Sequence, residues 1–462
     1  MARYLFAIRI SVIASLAGFL FGYDTAVIAG AIGFLTQNFG LGPVQTGFAV
    51  SSALIGCVIG AAVSGWIGDR LGRRKTLFLA GALYSLSAIG AALAWDFDSF
   101  WIARVVGGLG IGLSAIVPAY ISEISPANIR GRLTSVYQLA ITVGILTIYI
   151  VNNAIASSGD SQWQITTSWR FMLGSELIPA VLFLILLLAL PESPRWLMAR
   201  GQDRQAEAIL RKLDASMEAR ELMVEIREDL DHEQQSKAVR IFGRKLIGIT
   251  LLACAIAALQ QFVGINVIIY YGTSLLGQMN VADPFLQQVL IGSVNVVATL
   301  LGMALVDRWG RRPLLVLGGA GVTVMIAVVG FANLTQTTGP WVMIFIVGYV
   351  VVFAATLGPV AWLIIAELAP SLARAKVVAL ATMVLWTANV LVAQTFPMIN
   401  ESRVNVEVFN GALPYFVYAV FGVLMLLVSW FAVKETKGLS LEKLSRRAVR
   451  TSDAKLPAQD NG

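Results

Sequence analysis

Three ionisable residues stand where the surrounding sequence is otherwise apolar: Asp24 within FGYDTAVIAG (21–30), Arg104 at the head of RVVGGLGIGL (104–113) and Glu176 within SWRFMLGSELIPA (168–180). An ionisable side chain at membrane depth is expensive, so such groups face a cavity or one another and mark the route of a proton or solute. An opposite charge nearby favours ionised Asp24, which makes Arg104 its expected partner, and protonation of Asp24 would free the arginine. That exchange is chemistry suited to coupling a proton to a change of shape. The plainer alternative is a static ion pair that ties two helices together. Glu176 is placed to tune the pair. A second set is neutral: Gln260, Gln261 and Asn266 crowd into QQFVGINVIIYY (260–271), with Asn266 and Tyr270 on one helical face at i,i+4 spacing. Amides of this kind either bond between helices or offer hydrogen bonds to a polar solute.

The elements that must hold these groups follow from composition. Of 462 residues, 57% are hydrophobic and only 13% charged, whereas a soluble domain carries about 25% charged residues. Apolar runs long enough to cross a bilayer recur near 8–32, 47–67, 76–94, 101–122, 133–152 and 171–190, then near 246–272, 286–306, 313–333, 341–366, 377–398 and 412–433. The expected fold is an all-α membrane protein of twelve transmembrane helices in two pseudo-symmetric six-helix halves. The first apolar run continues to about Ala31 with no small-residue cleavage site, so it reads as a retained span and not as a signal peptide. The expected divisions are an N-terminal bundle over 1–190, a cytoplasmic helical linker over 191–245, a C-terminal bundle over 246–433 and a cytoplasmic tail over 434–462. With the N-terminus inside, only Arg170 and Arg403 fall in external loops, and the positive-inside rule puts both termini and the linker in the cytoplasm.

Other chemistries find no support in the residue types. Cys57, Cys254 and His232 are the only cysteines and histidine, and they show no metal-ligand or disulfide spacing. GGLGIG (107–112) superficially matches a dinucleotide fingerprint, but it lies inside a span with no preceding strand, so close helix packing explains it better. No catalysis, cofactor, metal or nucleic-acid partner is expected.

The two halves repeat each other. DRLGRR (69–74) returns as DRWGRR (307–312), each after the second span of its half. EISPANIR (123–130) is echoed by ELAPSLAR (367–374) after spans four and ten. Asp69, Arg73, Glu123 and Arg130, with Asp307, Arg311, Glu367 and Arg374, are therefore expected to gate the cytoplasmic helix ends. Asp69 would pair with nearby arginines, and Glu123 or Glu367 with Arg130 or Arg374, biasing an outward-facing state.

These stretches, together with GFLFGYDTAVIAG (18–30), PESPRW (191–196), GPVAWLIIAE (358–367) and ETKG (435–438), resemble the sugar porter branch of the major facilitator superfamily over nearly the whole chain. The resemblance implies alternating access around a central cavity and import of a monosaccharide, xylose, glucose or similar, together with a proton by a monomer in the bacterial inner membrane. It implies Asp24 as the coupling acid, and Gln138, Gln260, Gln261, Asn266 and Asn295 as hydroxyl-binding groups. Trp362 and Trp386 would stack on the sugar ring, and Phe21 and Tyr271 would line the cavity. Gly358 and Pro359 would form a hinge that swings Trp362, with Pro118 as a lesser counterpart. Two departures stand out. Leu385 occupies a position where the family commonly has an amide, leaving pentose, deoxysugar and hexose all open as substrates. Lys434 precedes Glu435 where a proline is usual. A passive facilitator of the same fold, and a sugar sensor, remain as alternatives.

Overall fold

The computed structural model describes residues 4–126, 128–213, 219–236, 241–243, 246–279, 282–370 and 373–437. A few helical side chains, those of Asp307 and His232 among them, lie outside the described residues, as does the tail from 438. Among the described residues, twelve helices are long and apolar enough to cross a membrane. Spans one to six are Leu5–Phe39, Pro43–Leu71, Arg73–Ala92, Phe97–Ile124, Arg130–Ala156 and Ser161–Leu187. Spans seven to twelve are Ile247–Gln278, Pro284–Val306, Arg311–Leu334, Val342–Leu368, Arg374–Asn400 and Leu413–Phe431. No strand occurs among the described residues.

Each expected span overlaps one helix, and the helices are mostly longer because they run on past the apolar stretch that hydropathy detects. The largest difference is in span six, which begins at Ser161 and takes Arg170 out of the loop assigned to it. The Arg170 guanidinium donates to the carbonyls of Ala92 and Ala94 at 3.0 and 2.6 Å, satisfying acceptors that the end of span three leaves open.

Prolines break three spans by one rule. A proline has no N–H for the carbonyl four residues earlier. Span four is helical to Ser114 and resumes at Val117, ahead of Pro118. Span six stops at Gly174 and resumes at Leu177, ahead of Pro179. Span ten stops at Ala355 and resumes at Leu357, ahead of Pro359. The breaks at Pro118 and Pro359 fall where the sequence marks them. In span eleven Pro397 leaves the helix continuous, and the carbonyl it frees, that of Ala393, accepts from the Tyr271 hydroxyl at 2.7 Å. Span seven breaks without a proline, at Gly264, whose φ of 93° is open to glycine.

Within the first half, span one packs on span five and span two on span four. Between halves, span two meets eleven, span five meets eight, and span one meets seven, an arrangement that survives exchange of the two halves. The glycines of span four explain its close approach to span two: a Cβ at Gly108 or Gly112 would come closer than 3.0 Å to the backbone around Ala53, Gly56 and Gly60. The linker folds as helices Pro194–Ala199, Asp203–Leu213 and Ala219–Ser236. It builds a small apolar cluster of Leu197, Met198 and Ala206 against Trp196, Ile209, Met223, Ile226 and Leu230. It docks on the end of span two, where Trp196 Nε1 and Arg200 Nη2 donate to the Asp69 carbonyl at 2.9 and 3.0 Å. That end of the bundle is the linker side, and the end where span one meets span two is the distal side.

Candidate functional site

Asp24, Arg104 and Glu176 come together in the first half, exposed by only 0%, 2% and 1%. Arg104 Nη1 pairs with Asp24 Oδ1, and Arg104 Nη2 donates to the main-chain carbonyl of the same aspartate at 3.0 Å. Among the described residues, Asp24 Oδ2, Arg104 Nε and Glu176 Oε1 are buried without a hydrogen-bond partner. Glu176 lies in the Pro179 break of span six, where the neighbouring Ser175 Oγ is 2.8 Å from the Tyr23 hydroxyl of span one. A buried charge that keeps one carboxylate oxygen unsatisfied is costly as a structural tie, so it calls for an explanation in function.

A run of amides crosses the break in span seven. Gln261 Nε2 donates to Gln260 Oε1 at 2.7 Å, and Asn266 Nδ2 donates to Gln261 Oε1. Gln260 Nε2 reaches the Leu357 carbonyl at 3.5 Å, just beyond the break in span ten, while the Tyr349 hydroxyl of span ten donates to the Val263 carbonyl at 2.7 Å. The two broken helices are thus stitched at their breaks. Trp386 of span eleven is buried and stands 5.5 Å, centroid to centroid, from Phe21 of span one, so the two halves touch at the centre through aromatic rings. Gln138, Asn266 and Asn295 are half-buried, and Trp362, 38% exposed, is the most open of the set. Tyr271 is committed elsewhere, its hydroxyl to Ala393 and its ring to Phe396 at 4.9 Å. Tyr270 turns towards span eleven, where its hydroxyl accepts from Asn389 at 3.1 Å, a contact that spacing alone did not reveal.

Of the residues expected to gate, those described gather at the linker side: Asp69 pairs with a nearby arginine as expected, whereas Glu123 and Glu367 take partners other than Arg130 and Arg374. Glu123 pairs with Arg73 at 3.0 Å and Glu367 with Arg311 at 2.9 Å, and Arg73 also reaches Asp69 at 2.9 Å. Arg130 and Arg374 instead donate to the carbonyls of Ser125 and Ala366, at 3.4 and 2.9 Å. Each begins a helix just after a helix has ended, so the nearest unsatisfied acceptors are the carbonyls of that end. Asp307's side chain lies outside the described residues. These ion pairs lie within one half or the other, so the halves are not held together by them.

The sequence reading missed Glu192 of PESPRW and Glu435 of ETKG as members of this cluster. Glu192 accepts from the main-chain N–H of Arg73, Arg74 and Ser193, and Glu435 from those of Arg311, Arg312, Thr436 and Lys437. Each carboxylate caps the start of the third helix of its half, where amide dipoles favour negative charge. The helix before it ends at Gly72 or Gly310, with φ of 94° and 89°. Burial pushes the Glu435 carboxyl up, but the N–H groups of Lys437, Arg311, Arg312 and Thr436 outweigh that and hold it below its ordinary value.

On the distal side the halves are joined. Ser51 Oγ of span two donates to Gln394 Oε1 of span eleven at 2.8 Å, and Gln394 Nε2 donates to the Val44 carbonyl at 3.0 Å. Thr273 Oγ1 of span seven donates to the Ala29 carbonyl of span one, and the Tyr149 hydroxyl of span five to the Ile269 carbonyl of span seven at 3.0 Å. Phe34 stacks on Phe285 at 6.0 Å.

A family model described as sugar (and other) transporter matches residues 10–448. The D-xylose-proton symporter of Escherichia coli is 39% identical, over 96% of this chain and 95% of that protein. The arabinose-proton symporter of Bacillus subtilis is 37% identical, over 96% of each. A solved structure described as the inward open conformation of the E. coli xylose transporter superposes with a TM-score of 0.85 at 38% identity, covering 96% of this chain and 99% of that one.

Proposed function

The chain belongs to the sugar transporter family, and from that premise we propose that it imports a monosaccharide together with a proton by alternating access of its two six-helix halves. It is a transporter and not an enzyme. The observation that carries the coupled reading is the buried Asp24–Arg104 pair. A facilitator driven only by the sugar gradient has no use for an ionisable carboxylate there, whereas a symporter needs one that trades a proton against an internal charge.

Asp24, ionised, holds Arg104. A proton arriving on Asp24 removes the charge attraction and lets the spans that carry the two residues shift against each other. Glu176, in the same buried cluster, tunes that exchange. Gln138, Gln260, Gln261, Asn266 and Asn295 supply hydrogen bonds to sugar hydroxyls, each of which must replace a bond given up to water. Trp362 and Trp386 meet the apolar face of the ring, with Phe21 at the wall and Tyr271 bracing it through its bond to span eleven. The break ahead of Pro359 gives Trp362 the freedom to close over the sugar. Asp69, Arg73, Glu123, Arg130, Asp307, Arg311, Glu367 and Arg374 govern the linker-side gate.

The linker side is cytoplasmic in this reading, so the distal joins close the outer entrance. Residues 1–190 and 246–433 are the moving halves, 191–245 is their cytoplasmic linker and 434–462 a cytoplasmic tail. The protein acts as a monomer in the bacterial inner membrane, on xylose, glucose or a similar sugar. The test is uptake of labelled glucose or xylose into vesicles with an imposed pH gradient, competed by unlabelled galactose, fructose and polyols. Accumulation that collapses when the gradient is dissipated supports the proposal. Accumulation that persists, or a competitor that is not a sugar, refutes it.

A further inference from the structure

The Asp24 oxygen that Arg104 does not hold points into a notch made by a missing side chain. A Cβ at Gly107, three residues after Arg104, would come closer than 3.0 Å to both Asp24 Oδ2 and Ser87 Oγ of span three. Among the described residues both atoms are buried without a hydrogen-bond partner, and Ser87 is 1% exposed. Two unsatisfied polar groups thus face one small space, from helices that belong to the same half. The other charged and titratable groups facing Asp24 are Arg104 of span four, Glu176 of span six, Cys57 of span two, Tyr84 of span three and Tyr270 of span seven.

We propose that Ser87 is a positioning residue for the proton-coupling step, its hydroxyl serving as the partner of Asp24 Oδ2 in both protonation states. The chemistry of the two neighbours divides the work. A guanidinium only donates, so Arg104 serves the carboxyl at Oδ1 as a donor and cannot accept the acid proton. A serine hydroxyl donates or accepts by rotation, so it donates to Oδ2 when Asp24 is ionised and accepts the acid proton when Asp24 is neutral. The proton is therefore carried on Oδ2, the oxygen that faces Gly107 and Ser87, directly or through one bridging water. Because a hydrogen bond to a charged acceptor is the stronger of the two, Ser87 favours the ionised form on balance.

This inference rests on the reading of Asp24 as the proton acceptor, and the test separates the two. Sugar uptake driven by an imposed gradient is measured against external pH in vesicles carrying the wild-type protein, Ser87→Ala or Ser87→Cys, alongside sugar counterflow at zero gradient. In Ser87→Ala the pH midpoint of driven uptake moves upward by roughly half to one unit, because the neutral acid now persists to higher pH. Counterflow stays within about twofold of wild type, since exchange leaves Asp24's proton in place. Ser87→Cys, a near-isostere with a weaker hydrogen bond, falls between. A Ser87→Ala midpoint that coincides with wild type, or a loss of counterflow in step with uptake and no shift in midpoint, overturns the positioning role. Wild-type uptake that ignores pH overturns the coupling reading and this inference with it.

Discussion

Arg104 grips Asp24 at two points, the carboxylate through Nη1 and the main-chain carbonyl through Nη2. Only the first depends on charge. In the proposed exchange, protonation removes the charge attraction at the first point and leaves the second, so the spans remain tethered at the Asp24 carbonyl as they shift.

Replacing Asp24 with asparagine mimics the protonated state permanently. The expected outcome is counterflow within a few-fold of wild type and an accumulation ratio that drops to about one, measured in vesicles with and without a pH gradient. Arg104→Ala should behave quite differently, because it strands a buried carboxylate at a cost of about 3–5 kcal/mol. It should express poorly and melt earlier, with partial recovery when combined with Asp24→Asn.

The amide relay makes Gln261 its central member, donating to Gln260 and accepting from Asn266. Gln261→Ala removes a contact and leaves two amides misdirected, so KM for sugar should rise about tenfold or more. Gln138→Ala, with no such relay to disturb, should raise it by about fivefold or less. Sugar binding followed by tryptophan fluorescence would check the order, and equal effects would count against the relay.

At the distal side Gln394 ties span eleven to span two through Ser51 and Val44. Gln394→Met keeps the volume and removes both bonds, each worth about 1 kcal/mol, which shifts the balance towards a distally open form by about tenfold or more. Spin labels at the exposed positions Leu93 and Val408 should then report a larger separation, and KM for uptake should fall. An unchanged distance distribution would show that the clasp is dispensable.

Glu435 offers a test by acid. Its carboxyl is held below the ordinary value by main-chain donors, so its contribution is complete above the unfolded value and disappears as pH falls through the lowered one. Glu435→Gln should therefore melt below wild type at neutral pH, and the gap in Tm should close under acid conditions. A gap that widens on acidification would reverse the sign of this argument.

Much of the architecture was readable from the chain because membrane spans announce themselves through a run of apolar residues long enough to need no context. The acid pair was readable too, since Asp24 and Arg104 are conspicuous against such a background. What escaped were contacts that depend on backbone geometry. Glu192 and Glu435 look like ordinary loop acids until the starts of spans three and nine are seen to present main-chain N–H groups to them. The pairing of Glu123 with Arg73 in place of Arg130 follows from where the next helix begins, a boundary that hydropathy blurs by several residues. Gln394 and Ser51 carry no mark at all, because an amide and a hydroxyl in separate spans become partners only once the halves are docked. The break at Gly264 was hidden inside QQFVGIN, where a lone glycine is compatible with an unbroken helix.

Apart from the Ser51–Gln394 bond, the hydrogen bonds of the distal side share a bias in who gives and who receives. Gln394, Thr273 and Tyr149 all donate to carbonyls of the backbone, at Val44, Ala29 and Ile269. A backbone acceptor is present whatever side chain the position carries. At these three joins the receiving positions are thus free to vary in sequence, and the burden of inheritance falls on three donor side chains together with Ser51, whose hydroxyl meets Gln394. If these joins close the outer entrance as proposed, retuning them at Thr273 or Tyr149 would need one substitution at the donor and no matching change across the seam.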